Sequence, residues 1–243
     1  MENAIAAGLS KQLVLGRAME VTANNIANQT TAGFKADRIL FREYLTTIDQ
    51  NTSNDPEVSL VFDPDGYTDF SQGGLDATYG TLDFAIDGDG FFAIEEANGQ
   101  AYTRDGRFSV NGFGELVNRD GNRVLDGSGG SIFIDPDGGP LLVTESGELQ
   151  QAGATIGRIG VFQFEEPQAL RKAGNGLFTT EATPEAVRNP RIRQGFVETS
   201  NIAPIVAVTD MIEIMRAYEQ AARVVELSDE LARSAISTLS ETA

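Results

Sequence analysis

The sequence predicts an α+β protein in which long N- and C-terminal helices form a coiled-coil stalk and bracket an antiparallel, β-rich middle domain. Three observations predict it. Apolar residues recur at helical spacing near the N-terminus, a heptad seam runs through the C-terminal end, and the intervening chain alternates short apolar runs with Gly-containing turns.

The N-terminal element comes first. Residues 3–28 contain no Pro, and Ile5, Leu9, Leu13, Leu15, Met19 and Ile26 recur at roughly helical spacing. Gly8 and Gly16 weaken such a helix by about 1 kcal/mol each relative to Ala. A glycine is tolerable where a neighbouring helix comes close. The helix gives way to Asn28-Gln-Thr-Thr-Ala-Gly33-Phe34. Asn tolerates left-handed backbone, the threonines stiffen an extended stretch, and Gly33 frees the turn before Phe34.

Residues 49–69 are polar, rich in Asn, Asp and Pro, and read as a loop or linker. The middle then becomes rich in Gly, Asp, Phe and Val. Hairpin turns are expected at Asn98-Gly99, Asp120-Gly121 and Ser146-Gly147. The expected division is a discontinuous helical assembly domain, residues 1–35 with 200–243, an extended segment 36–70, and a β-rich outer domain 71–199.

At the C-terminus, Val208, Met211, Met215, Tyr218, Ala222, Val225, Asp229, Ala232, Ile236 and Leu239 step alternately by three and four. Ser200 or Asn201 is suited to cap the helix and Pro204 to open its first turn. A helix over 202–239 measures about 57 Å at 1.5 Å per residue. Burying its large seam side chains yields about 1.5–3 kcal/mol apiece, against about 1–2 kcal/mol per residue to order the backbone. One seam does not cover that cost, so the helix needs neighbours on several sides.

Composition excludes several functions. The 243 residues carry a formal net charge of −18, and only Lys11, Lys35 and Lys172 are lysines. Such a surface repels phosphate backbones, which argues against nucleic acid as a partner, and it repels anionic lipid. With no Cys and no His there is no thiolate nucleophile, no imidazole base, no disulfide and no Cys or His metal site. No apolar run approaches the ~20 residues of a membrane span, and Glu2 sits where a secretory signal would be basic. No cofactor is expected.

The acidic doublets Asp63-Pro-Asp65-Gly66, Asp87-Gly-Asp89-Gly90 and Asp135-Pro-Asp137-Gly138 invite a calcium or carboxylate-pair reading. From Asp87, position five is Phe91 and position twelve is Asn98, which breaks the calcium-loop pattern. Asp-Gly and Pro-Asp-Gly are turn formers, and turns are the expectation. Ser10-Lys11 makes a poor catalytic dyad, since adjacent helical residues do not face each other.

Three stretches carry a resemblance. "VTANNIANQTTAGFKADR" (21–38) resembles the N-terminal signature of the flagellar axial proteins, the rod and hook family. The stretch 71–125, beginning "SQGGLDATYGTLDFAIDGDGFF", is similar to that family's β core, and "QGFVETSNIAPIVAVTDMIEIMRAYE" (194–219) to its C-terminal signature. The family usually has Thr-Thr-Gly-Phe where this chain has Thr31-Ala32-Gly33-Phe34. The resemblance implies a rod subunit of the basal body, a structural protein and not an enzyme. It implies export by the flagellar type III apparatus without a cleaved signal, and assembly with itself and with other proximal and distal rod subunits. The product is a helical tube crossing the periplasm that transmits torque, with terminal helices inside and β domains outside.

The residues expected at subunit interfaces are Met211, Met215, Tyr218, Ala222 and Val225, with Ile5, Leu9, Leu15, Met19 and Ile26 opposite. Asn24, Asn25 and Asn28 would set the exit from the inner helix. Two rival classes are a secreted β-rich carbohydrate-acting enzyme, which a substitution-sensitive hydrolysis would reveal, and a freestanding oligomeric binding module, which a closed oligomer in solution would reveal.

Overall fold

A computed structural model describes residues 2–46, 58–97 and 99–241. Asn98 lies outside the described residues, as do the side chains of Asp63, Asp65, Ala232, Ile236 and Leu239. The chain divides into two compact units. One comprises Met1–Ala27, Asp37–Asp69 and Ala203–Ala243; the other comprises Asn28–Ala36 and Phe70–Ile202.

The first unit holds helix α1 (Glu2–Ala27), the antiparallel hairpin β1 (Asp37–Thr46) and β2 (Val58–Thr68), and helix α2 (Pro204–Glu241). Pro204 opens α2 as expected, since its missing N–H costs nothing in a first turn. The first intrahelical bond runs from Ala207 N–H to the Ala203 carbonyl. Neither Ser200 nor Asn201 is therefore the cap. The Asn201 side chain is engaged elsewhere.

The expected coiled-coil stalk does not form. Helix α1 packs against α2 and also against the β1–β2 hairpin, so the helices belong to a helix–helix–hairpin unit and not to a two-helix supercoil. The stripe of α2 withdrawn from solvent is Ala207, Met211, Ile214, Ala217, Ala221 and Val225. Of the expected seam, Met211, Ala222 and Val225 are half-buried, while Val208, Met215 and Tyr218 are exposed at 47%, 46% and 38%. Apolar residues surround much of α2, so a three-four alternation can be traced along more than one stripe. Close approach selects the stripe that carries Ala207, Ala217 and Ala221. A Cβ on Gly8 of α1 would stand 2.6 Å from Val225 Cγ2, well inside van der Waals contact.

The second unit is built of short antiparallel strands. Its central sheet contains nine of them, with strands Phe91–Glu96 and Gly99–Thr103 paired at its middle. One face buries Phe84, Phe92, Ile94, Leu116, Leu149 and Ile192; the other buries an aromatic group around Phe91, Tyr102, Phe164 and Phe178. Alternation along Phe91–Ile94 sends successive side chains to the two clusters. Turns occur at Asp120-Gly121 and Ser146-Gly147, where the N–H groups of the two glycines bond back to the Asn118 and Thr144 carbonyls. Asp135 and Asp137 lie in a turn closed by the bond from Gly138 N–H to the Asp135 carbonyl. Among the described residues no acidic group is arranged to hold a metal ion, and no helix is long and apolar enough to cross a membrane.

Candidate functional site

The three stretches that carry the family resemblance converge on one buried ion cluster. Lys35 comes from the N-terminal stretch, Arg104 from the β core and Glu198 from the C-terminal stretch. All three lie in the β unit, at 0%, 3% and 1% exposure. The Lys35 ammonium donates to Glu198 Oε1 at 2.6 Å and to the Ser71 carbonyl at 2.7 Å. Arg104 Nη1 donates to Glu198 Oε2 at 3.1 Å and to the Gly88 carbonyl at 2.8 Å. The N–H of Gly73 completes the carboxylate's shell at 2.9 Å.

The local chain is shaped for this meeting. Gly33 has φ +67°, and a Cβ there would sit 2.4 Å from the backbone nitrogen of Asp105. Only glycine both adopts that conformation readily and leaves that space. Its N–H donates to the Glu198 carbonyl at 2.8 Å. Asn201 bridges the same region: its side-chain oxygen accepts from the Ala36 N–H at 2.8 Å, and its nitrogen donates to the Ser71 carbonyl at 3.2 Å. Lys172 stands 4.3 Å above the Phe34 ring, a cation–π contact that covers the segment from outside.

In its hydrogen bonds the cluster is two cations on one carboxylate. Burial pushes the Arg104 guanidinium below its ordinary value, while the Glu198 and Asp89 carboxylates pull it back. Arg104 Nε is buried without a hydrogen-bond partner among the described residues, and the guanidinium lies 5.0 Å from the Phe91 ring centre. A buried ion group of this kind contributes little net stability relative to well-packed apolar residues, but losing one partner is costly. Glu198 is the shared partner, so the cost is concentrated there.

The expected interface residues fall into three groups. In α1, Ile5, Leu15, Met19 and Ile26 are half-buried and Leu9 is exposed at 52%, as is Leu13 at 70%, which the sequence placed on the helix but not in the interface set. In α2, Met215 and Tyr218 are exposed, whereas Met211, Ala222 and Val225 are partly withdrawn. The asparagines differ among themselves. Asn25 donates to the Asp37 carbonyl at 2.8 Å and accepts from the Asp37 N–H at 3.0 Å, behaving like a strand partner for the start of β1. Asn28 accepts from the Thr31 hydroxyl at 3.2 Å and closes the turn after α1. Asn24 is exposed.

Sequence reasoning missed Lys35, Arg104 and Glu198 as a group. Their one available signal was that each lies in a stretch carrying the resemblance. It also missed the exposed apolar residues Ile205, Ile212, Val224, Leu227 and Leu231 of α2, at 46–83% exposure. These leave α2 apolar on faces that α1 does not cover.

Comparison with known proteins gives three family matches in chain order. Residues 15–35 match the model described as flagella basal body rod protein, 85–151 the flagellar hook protein FlgE/F/G D1 domain, and 193–238 the flagellar basal body rod FlgEFG protein C-terminal region. The chain is 39% identical over 241 residues to the flagellar basal-body rod protein FlgF of Caulobacter vibrioides, covering 98% of each chain. It is 35% identical to FlgF of Mesorhizobium japonicum over 98% of each. It is 30% identical to the flagellar basal-body rod protein FlgG of Bacillus subtilis, covering 95% of this chain and 97% of that one.

Proposed function

The chain belongs to the flagellar basal-body rod protein family, and we propose that within the rod it joins copies of itself and neighbouring rod subunits through the exposed apolar faces of its terminal helices. It is a structural subunit of the basal body and not an enzyme, and among the rod proteins FlgF is the favoured assignment. One observation carries the assembly reading: α2 keeps large apolar side chains in solvent on faces α1 leaves bare, with Met215 and Tyr218 among them. Contiguous exposed apolar surface of that kind marks an interaction site.

The same membership supports the finer reading. The chain is exported by the flagellar type III apparatus without signal cleavage. It stands in the proximal rod, with proximal and distal rod subunits among its partners, and it transmits torque. Helical growth needs a heterologous interface, in which one face of a subunit meets a different face of the next. The α2 surface together with Leu9 and Leu13 of α1 supplies candidate faces.

The test is mass spectrometry of basal bodies isolated from the producing cells, with and without the gene. The chain is expected in the rod fraction, and its deletion is expected to abolish rods and motility. Normal basal bodies lacking the chain would overturn the proposal.

A further inference from the structure

We propose that Lys35 is a positioning residue: by pairing with Glu198 it selects the single alignment of segment 28–36 against strand Phe196–Glu198, rather than adding net stability to the β unit. The inference rests on the rod reading only for its consequence in assembly. The physical claim concerns the β unit alone.

The two segments need such a device. Helix α1 ends at Ala27 and α2 begins at Pro204, so the chain joins both helices to the β unit through these stretches. Segment 28–36 is not a strand, and it carries no ladder of alternating side chains that would fix register. Its backbone groups bond to the C-terminal stretch at three points: Gly33 N–H to the Glu198 carbonyl at 2.8 Å, Asn201 N–H to the Phe34 carbonyl at 3.4 Å, and Ala36 N–H to the Asn201 side-chain oxygen at 2.8 Å. A slip of one residue would set Phe34 or Ala36 in place of Lys35. The ammonium would then lose the Glu198 carboxylate and the Ser71 carbonyl, while the carboxylate kept only Arg104 and Gly73. The ion pair therefore penalises every alignment except one, the best-attested use of buried charge.

The charge count separates this role from a stabilising one. Two cations are hydrogen-bonded to one carboxylate, and the Asp89 carboxylate also acts on Arg104, so replacing Lys35 by an apolar side chain of similar length leaves Arg104 still paired with Glu198 and strands no cation. Registry is lost, yet buried charge is reduced. A simple stabilising bridge would behave oppositely.

The experiment compares the full chain with Lys35→Met and Lys35→Arg, by thermal unfolding and by amide hydrogen exchange. In Lys35→Met the β-unit melting midpoint is expected to hold or rise. The amides of Gly33 and Ala36 are expected to exchange at least about tenfold faster, while those of Ile94 and Leu116 keep their protection. Lys35→Arg restores protection at Gly33 and Ala36. A fall in the midpoint with faster exchange throughout the core would show a stability element and overturn the proposal, as would unchanged exchange at Gly33 and Ala36. These readouts need no rod. If exchange behaves as expected but the chain is absent from basal bodies, the rod reading fails and the positioning role stands. Where both hold, Lys35→Met enters basal bodies at reduced occupancy.

Discussion

The Lys35 ammonium and the Glu198 carboxylate meet at 2.6 Å in the interior of the β unit, across 163 positions of sequence. The bond joins the segment that follows α1 to the strand that precedes α2. Glu198 also holds Arg104, so its loss differs in kind from the loss of either cation.

Glu198→Leu is expected to leave Lys35 and Arg104 as buried, mutually repelling cations and to cost about 3–5 kcal/mol. Thermal unfolding at neutral pH measures it. A loss near that of an ordinary surface substitution, within about 0.5 kcal/mol, would show that solvent reaches the cluster.

Gly8→Ala is expected to destabilise α1–α2 packing in the native background, because the new methyl meets Val225 Cγ2 at 2.6 Å and Val is stiff at χ1. In a Val225→Ala background the same change is expected to reverse sign and gain up to about 1 kcal/mol from helix propensity. The helical melt of the four proteins reads the cycle. Equal effects in both backgrounds would place the helices further apart.

Met215→Asp is expected to leave folding within about 0.5 kcal/mol, since the side chain is already exposed. The variant is expected to be missing from basal bodies and its cells non-motile. Normal incorporation would remove this face of α2 from the assembly surface.

Asp126 gives a pH dependence. Burial raises its pKa, but the Ser128 hydroxyl and the N–H groups of Gly130, Ser128 and Gly129 more than offset this, so the folded value lies below the ordinary 3.8. The unfolded chain therefore takes up the proton first as pH falls. The stabilisation is fully present above 3.8 and is lost as pH drops through the folded value. Asp126→Asn removes the titration, so its stability difference from the native chain should be constant above that window and shift within it. Parallel curves through the acid limb would exclude this turn as a contributor.

The helical ends and the β middle were legible in the sequence because their periods, 3.6 and 2, are written in local residue order. Turns at Asp120-Gly121 and Ser146-Gly147 were legible because Gly reports its own backbone. The β1–β2 hairpin was not. Its second strand, 58–68, lies in the stretch whose Asn, Asp and Pro content reads as loop, and pairing with 37–46 overrides local propensity.

The heptad spacing of α2 did not identify which stripe faces α1, because apolar residues line several sides. That choice belongs to Gly8 and the alanines of α2, which admit a neighbour that larger side chains would hold off. For the ion cluster the divide is sharper. Residue order established that Lys35, Arg104 and Glu198 sit in three stretches shared with the rod family. Only tertiary structure brought them together, because a pairing across so long a loop is encoded in no local pattern and exists only once the strands between have closed.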